Sequence, residues 1–123
     1  MYLPKQFEET STPVLFDLIK AHPLSTVITH CGQSLNANHI PLLLAENFAG
    51  EPVLRGHVAR ANPLLDDLAN NPETLVVFQG AEHYITPSWY ATKKETEKVV
   101  PTWNYVVVHV RGMMHVIDDA QWL

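Results

Sequence analysis

Apolar positions along the chain fall into short, closely spaced runs, and most of these runs have the composition of strands. The first periodic stretch is the exception. Val14, Leu15, Leu18 and Ile19 recur at the spacing of one helical face. Ser11-Thr12-Pro13 precedes them; Thr12 can cap a helix, and Pro13 suits its first position because the missing N–H would have no partner there. His22-Pro23 ends the helix, since the residue before a proline is pushed out of the α region.

From Ser25 onward the signals are those of strands. Ser25 to Cys31 (STVITHC) is compact and β-branched, and Ser34 to Leu44 reads as a second strand carrying Pro41. Proline cannot donate to a sheet ladder, so Pro41 marks an edge or a bulge. Ala49-Gly50-Glu51-Pro52 predicts a turn and Val53 to Ala59 a third strand. Asn62-Pro63 opens a short helix with Leu64, Leu65, Leu68 and Ala69 as its apolar positions, and Asn70-Asn71-Pro72 closes it. Thr74 to Phe78 and His83 to Thr86 read as two strands about a turn at Gly80, and Tyr105 to Val110 and Met113 to Ile117 as a last pair about Gly112. The polar run Lys93 to Lys98 (KKETEK) has no apolar face and reads as an exposed loop.

The sum is a mainly β chain of six or seven short strands with two or three short helices. Strands that follow one another through short turns predict an antiparallel barrel or sandwich. Asp118 to Leu123 looks like a helix start that is cut short, because a helix of that length does not stand alone.

Composition agrees with one globular domain over residues 1–123: 46% of the residues are hydrophobic and 17% charged. The formal net charge of -5, from 8 basic against 13 acidic residues, gives no surplus of cations for neutralising nucleic-acid phosphates. That counts against direct DNA reading. The single cysteine, Cys31, cannot form an intrachain disulfide. With no leader-like segment and no apolar run of about 20 residues, it predicts a cytoplasmic protein outside the membrane.

Four stretches could carry chemistry. In His57-Val58-Ala59-Arg60-Ala61-Asn62-Pro63 a strand runs into an arginine and then a helix start. Free backbone N–H groups and a planar guanidinium together suit a phosphate. The same residues read equally as an ordinary capped helix beside a surface arginine. Tyr84-Ile85-Thr86-Pro87-Ser88-Trp89-Tyr90 and Val100-Pro101-Thr102-Trp103-Asn104-Tyr105 place aromatic planes beside hydrogen-bonding groups. These suit either a planar ligand or the closure of a barrel end. Asn36-Ala37-Asn38-His39-Ile40-Pro41 sets amides and an imidazole in a strand, as a bulge beside a ligand or as a polar outer face. The seven histidines show no HxH, HExxH or HxxxH spacing, and there is no GxGxxG, Walker A or GxSxG pattern.

Taken in order, these stretches resemble one family. Met1-Tyr2-Leu3-Pro4 with Phe7, Ala37-Asn38-His39-Ile40-Pro41-Leu42-Leu43-Leu44, Gly56-His57-Val58-Ala59-Arg60-Ala61-Asn62-Pro63, Val77-Phe78-Gln79-Gly80, and the two aromatic runs above are similar to the PaiB family of FMN-binding negative transcriptional regulators. The resemblance implies a flavin-reductase-like split barrel and a homodimer with FMN at the subunit interface. It implies a regulatory role with a flavin-linked redox role beside it. The alternatives are a flavin-dependent oxidoreductase without regulation, or a haem-binding split barrel using His39, His57 or His109. Carried over by position, Arg60 and Asn62, with Lys93, would face the FMN phosphate, and His57 is a further cofactor-binding candidate. Asn38, His39 and Pro41 would line the isoalloxazine or ribityl chain. Ser88, Trp89 and Tyr90 would close the site from either subunit, and Trp103 and Asn104 would sit beside the ring. No side chain stands out as an acid or base, so no catalytic residue is assigned. Family members continue into a C-terminal helical region, so the resemblance implies a chain cut after residue 118.

Overall fold

The computed structural model describes residues 1–90 and 100–122. The polar run 93–98, Lys93 included, lies outside them. Among the described residues there are six strands: β1 (Leu24–Cys31), β2 (Ser34–Pro41), β3 (Leu43–Glu46), β4 (Pro52–Arg55), β5 (Glu73–Ile85) and β6 (Thr102–Met113). Two helices accompany them, α1 (Thr12–Ala21) and α2 (Leu64–Asn70), with short 3-10 turns at Lys5–Phe7 and Pro87–Trp89. The chain is therefore mainly β. The strands form a four-stranded sheet in the order β2-β1-β5-β6 and a separate β3-β4 ribbon, with antiparallel pairing throughout.

The β1–β2 hairpin turns through Gly32 and Gln33, with Cys31 opposite Ser34. Gly32 has φ of 60°, the positive value that tight hairpin turns require at this place. The register then sorts every side chain. Ser25, Val27 and Thr29 of β1 share a face with Ile40, Asn38 and Asn36 of β2, and with Val76 and Thr74 of β5. That face is covered. Ile19 of α1, Leu64 and Leu68 of α2, and Leu42 close over Val27, Ile40, Val76, Phe78 and Val108 to form the core, with Leu44 and Leu54 of the ribbon packed against it. The opposite face carries Thr26, Ile28, Leu75, Val77 and Val107, none of which belongs to the core cluster.

Several boundaries differ from the sequence expectations, each for a local reason. Ser11, not Thr12, precedes the first helical residue, and its N–H bonds the Glu9 carboxylate at 2.8 Å. Gly80 makes no turn: β5 runs through it as one strand, with an extra residue between Gln79 and Glu82. The end of α1 presses on this bulge, and a Cβ at Gly80 would lie 2.9 Å from Leu18 Cδ1. Gly112 likewise stays inside β6, opposite Thr74, and residues 114–117 are not a strand. The stretch from Ser34 to Leu44 breaks at Leu42, whose N–H makes a last bond in the β1–β2 register to the Pro23 carbonyl at 2.9 Å, and Pro23 has no N–H to return. Pro41 itself ends the edge strand β2, where no missing donor is felt. The strand expected from Val53 to Ala59 stops at Arg55. At Gly56 the backbone passes so near Leu42 and Pro41 that a Cβ would lie 2.5 Å from Leu42 Cδ2 and 3.0 Å from the Pro41 carbonyl. The helix start expected at Asp118 is a single turn, closed by Trp122 N–H on the Asp119 carbonyl at 3.1 Å.

One buried carboxylate locks α2 onto the sheet. Asp67 Oδ2 accepts from the Thr29 hydroxyl at 2.9 Å and from the Asn36 amide at 2.7 Å. It thereby joins one helix to both β1 and β2. Replacing Asp67 by alanine leaves both donors without their acceptor and is expected to cost about 2–3 kcal/mol in urea unfolding. Asp67→Asn, which keeps an acceptor oxygen, is expected to cost about 1 kcal/mol. Equal unfolding midpoints for the alanine variant and the wild type would show that the lock carries no stability.

Candidate functional site

The connection from β4 to α2 carries His57, Arg60 and Asn62, and each has a different setting. His57 is exposed. Asn62 is half-buried and fully engaged: its Oδ1 accepts the Leu64 N–H at 2.9 Å and its Nδ2 donates to Asn38 Oδ1 at 3.2 Å. The pair ties the start of α2 to β2. The helix end adds little for an anion. α2 has seven residues, carries Asp66 and Asp67 in its first turn, and has the N–H groups of Leu65, Asp66 and Asp67 turned back to the carbonyls of Asn62 and Pro63. What this connection offers an anion is therefore the Arg60 guanidinium. Its Nη1 and Nη2 grip Asp118 Oδ2 and Oδ1, both at 2.7 Å, with the two side chains 83% and 67% exposed. The hydrogen bond and the opposite charge hold the Asp118 carboxyl below its usual range and the guanidinium above its own.

Alternation along β2 sends its polar residues to opposite sides. Asn38 faces the covered side, whereas His39 and Pro41 face the open one. His39 Nδ1 lies 3.2 Å from Thr26 Oγ1, its partner across the ladder. Trp103 lies on the same open face at the far end of the sheet, paired with Tyr84; their ring centroids are 5.7 Å apart with planes at 49°. Beside Trp103 a shallow cleft of about 430 Å³ is lined by Met1, Gln79, Glu82, Tyr105, Val107 and His109. Desolvation lowers the His109 pKa, and the positive charges of the N-terminus and Arg111 lower it further.

Ser88, Trp89 and Tyr90 follow β5 in an exposed turn. Thr86 shapes it, bonding the Ser88 hydroxyl at 3.0 Å and accepting the Ser88 N–H at 3.4 Å. Trp89 stacks on His83, with centroids 6.3 Å apart and planes 6° from parallel. Asn104 lies opposite His83 in the ladder.

The expected residues thus form two groups rather than one. Asn38, His39, Pro41, His57, Arg60 and Asn62 gather about the β2 edge and the β4–α2 connection. Ser88, Trp89, Tyr90, Trp103 and Asn104 gather at the far end of β5 and β6. His39 and Trp103 are separated by three strand spacings, about 14 Å, and by six ladder steps along β5, about 20 Å. Within one chain they cannot touch one planar ring. Thr26, Tyr84 and Asp118 were missed by sequence reasoning. Tyr84 stood in a quoted aromatic run, Thr26 is found only through the ladder, and Asp118 gives no local signal.

Comparison with known proteins adds the family. Residues 1–123 match a family described as "Putative FMN-binding domain". The chain is 35% identical to the Saccharomyces cerevisiae protein YKL070W, over 100% of this chain and 83% of the relative. It is 34% identical to the Aspergillus fumigatus protein AFUA_5G13800, over 98% and 58%. It is 31% identical to the Bacillus subtilis protease synthase and sporulation protein PAI 2, over 98% and 56%. The chain thus spans little more than half the length of the last two.

The cleft yields a pH prediction. The folded His109 pKa lies below its ordinary value of 6.5, so the unfolded chain takes up the proton first. Any stability that this residue contributes is therefore present above about 6.5 and declines as the pH falls toward the folded value. A carbon-detected NMR titration of the imidazole is expected to show a midpoint below 6.5. Acetylating the N-terminus should raise it, because that removes one of the opposing charges; an unchanged midpoint would contradict the assigned cause.

Proposed function

We propose, from the premise that this chain belongs to the FMN-binding domain family matched along its whole length, that it holds FMN between two copies of itself. In this reading the protein is a cytoplasmic, split-barrel homodimer with a regulatory role of the PaiB kind. The observation that carries it is the separation of two complementary groups, each of which reaches the open sheet face, one through His39 and Pro41 and the other through Trp103 and Tyr84. Neither group alone gives a flavin both a phosphate anchor and an aromatic bed. A second copy laid against the open face would bring the Trp103 end of one chain to the His39 end of the other.

The side chains fit such a ligand. Arg60 already holds a carboxylate through two parallel bonds of 2.7 Å, and a phosphate presents the same two-oxygen edge. Trp103, Tyr84 and Trp89 offer flat apolar surfaces with polar tips. In this reading Arg60, with Asn62 and His57 beside it, anchors the phosphate. Asn38, His39 and Pro41 line the ribityl chain and one side of the ring. Trp103, Asn104, Ser88, Trp89 and Tyr90 close the site from the second copy. The bond to Thr26 engages Nδ1 of His39, and Nε2 has no hydrogen-bond partner among the described residues. FMN would supply electron or hydride transfer, and these residues bind and orient it.

The open face favours a second copy over a membrane or DNA. Among the described residues no helix is long and apolar enough to cross a membrane. The net charge of -5 gives no overall cationic field to draw in DNA. Regulation of the kind named for PAI 2 would then act through flavin occupancy or through a protein partner.

The test is complementation between variants. Wild-type protein is expected to bind FMN at micromolar concentration and to sediment at twice 13.9 kDa. His39→Ala and Trp103→Ala are each expected to weaken FMN about tenfold. Mixing the two variants should restore full affinity at one site of every mixed dimer, since that site draws both intact residues from different chains. No restoration in a verified mixed dimer would place each site within one chain and overturn the shared-site reading.

A further inference from the structure

The residues after β6 turn back across the β4–α2 connection and are fastened there at two points. Asp118 grips Arg60 through both oxygens. Trp122 lies beneath the Arg55 guanidinium, 5.7 Å from ring centroid to Cζ. Asp119 shapes the turn between these points: its Oδ1 accepts the Gln121 N–H at 2.9 Å and its carbonyl accepts the Trp122 N–H at 3.1 Å. Of the arginines in the chain, Arg55, Arg60 and Arg111, two are thus engaged by residues 118–122.

The Arg60–Asp118 pair is a poor structural fastening. Both side chains are mostly exposed, and an exposed ion pair is screened by water and salt. It is well suited to exchange. A carboxylate and a phosphate oxygen pair present the same planar edge to a guanidinium, and a phosphate monoester brings nearly twice the charge. We propose that Asp118 is a built-in competitor for the phosphate of the ligand, so that capture of FMN at Arg60 displaces Asp118 and frees residues 118–122. This rests on the FMN reading above and adds its regulation. A flavin without phosphate has nothing to exchange for Asp118, so only the anionic form releases the strap. Occupancy of the site is then reported at a segment outside the sheet, where a partner could sense it.

The experiment compares FMN and riboflavin titrations of the full chain, wild type and Asp118→Asn, followed by flavin fluorescence. Asp118→Asn is expected to tighten FMN about two- to fivefold and to leave riboflavin unchanged. In the Arg60→Gln background the same substitution should have no effect on FMN. Hydrogen exchange at the Trp122 amide should quicken when FMN, but not riboflavin, is added to the wild type. Equal FMN affinity in wild type and Asp118→Asn, equal tightening of both flavins, or an unchanged Trp122 amide overturns the competition while leaving the FMN reading intact. A wild type and variant that bind neither flavin overturn both.

Discussion

β1 lies inside the four-stranded sheet, and the described helices and strands cover only one of its two faces. Ser25, Val27 and Thr29 disappear beneath α1, α2 and the β3–β4 ribbon. Thr26, Ile28 and Val77 on the other side are outside the core cluster, and Met1 reaches that face at the cleft beside Val107. Burial of apolar surface is the main favourable term in folding, and a domain of 123 residues has little of it to leave unused. The one-sided core therefore decides both what is rigid and what is available. The covered face fixes α2 through Asp67 and Asn62. The uncovered face is where a ligand or a second copy can reach the sheet.

The pleat turns that constraint into chemistry. Asn38 and His39 are neighbours in sequence, but β2 sends one inward to Asn62 and the other outward beside Thr26. A single edge strand thereby holds the β4–α2 connection in place and presents an imidazole to the open face. The bulge between Gln79 and Glu82 does similar work on β5. It restores the alternation after an inserted residue, so that Glu82 and Tyr84 continue the open face toward Trp103. If Gly80 and Ala81 each took a regular strand position instead of sharing one bulge, Tyr84 would turn away from Trp103, and the aromatic end would lose one of its two rings.

Much of this was legible in the sequence, and the failures have physical causes. Helix α1, the β1–β2 region, the loop at Gly50 and helix α2 each announce themselves through local turn and cap chemistry. The family resemblance rests on runs of residues that the match over residues 1–123 bears out. Gly80 was misread because glycine marks a turn and a close approach alike, whereas Gly112 is a ladder residue opposite Thr74 where a Cβ would meet nothing within 4 Å. At Gly80 the neighbour is Leu18, from a helix more than sixty residues earlier, and no local pattern reveals it. The phosphate argument at Arg60-Ala61-Asn62-Pro63 leaned on the helix end as well as on the Arg60 guanidinium. The acids Asp66 and Asp67, visible in the sequence, already weighed against that helix end, and Asp67 serves the buried lock instead. That the His39 and Trp103 groups stand far apart in one chain could not be read from spacing at all, because it depends on which edges of the sheet β2 and β6 occupy.

Charge accounts for why a competitor at Arg60 is physically sensible in this protein. With five more negative than positive charges, the chain repels a phosphate at long range, so selectivity has to arise at contact. An unpaired arginine would take any small anion it met. Pairing Arg60 with Asp118 keeps the guanidinium satisfied until a stronger two-oxygen acceptor arrives. The exchange leaves the cation paired at both ends of the process and moves a carboxylate, with Asp119 beside it, away from the incoming phosphate. The same displacement loosens the hold on the turn that places Trp122 beneath Arg55. An exposed ion pair of little structural value thus becomes the point at which ligand charge is converted into a change of chain position.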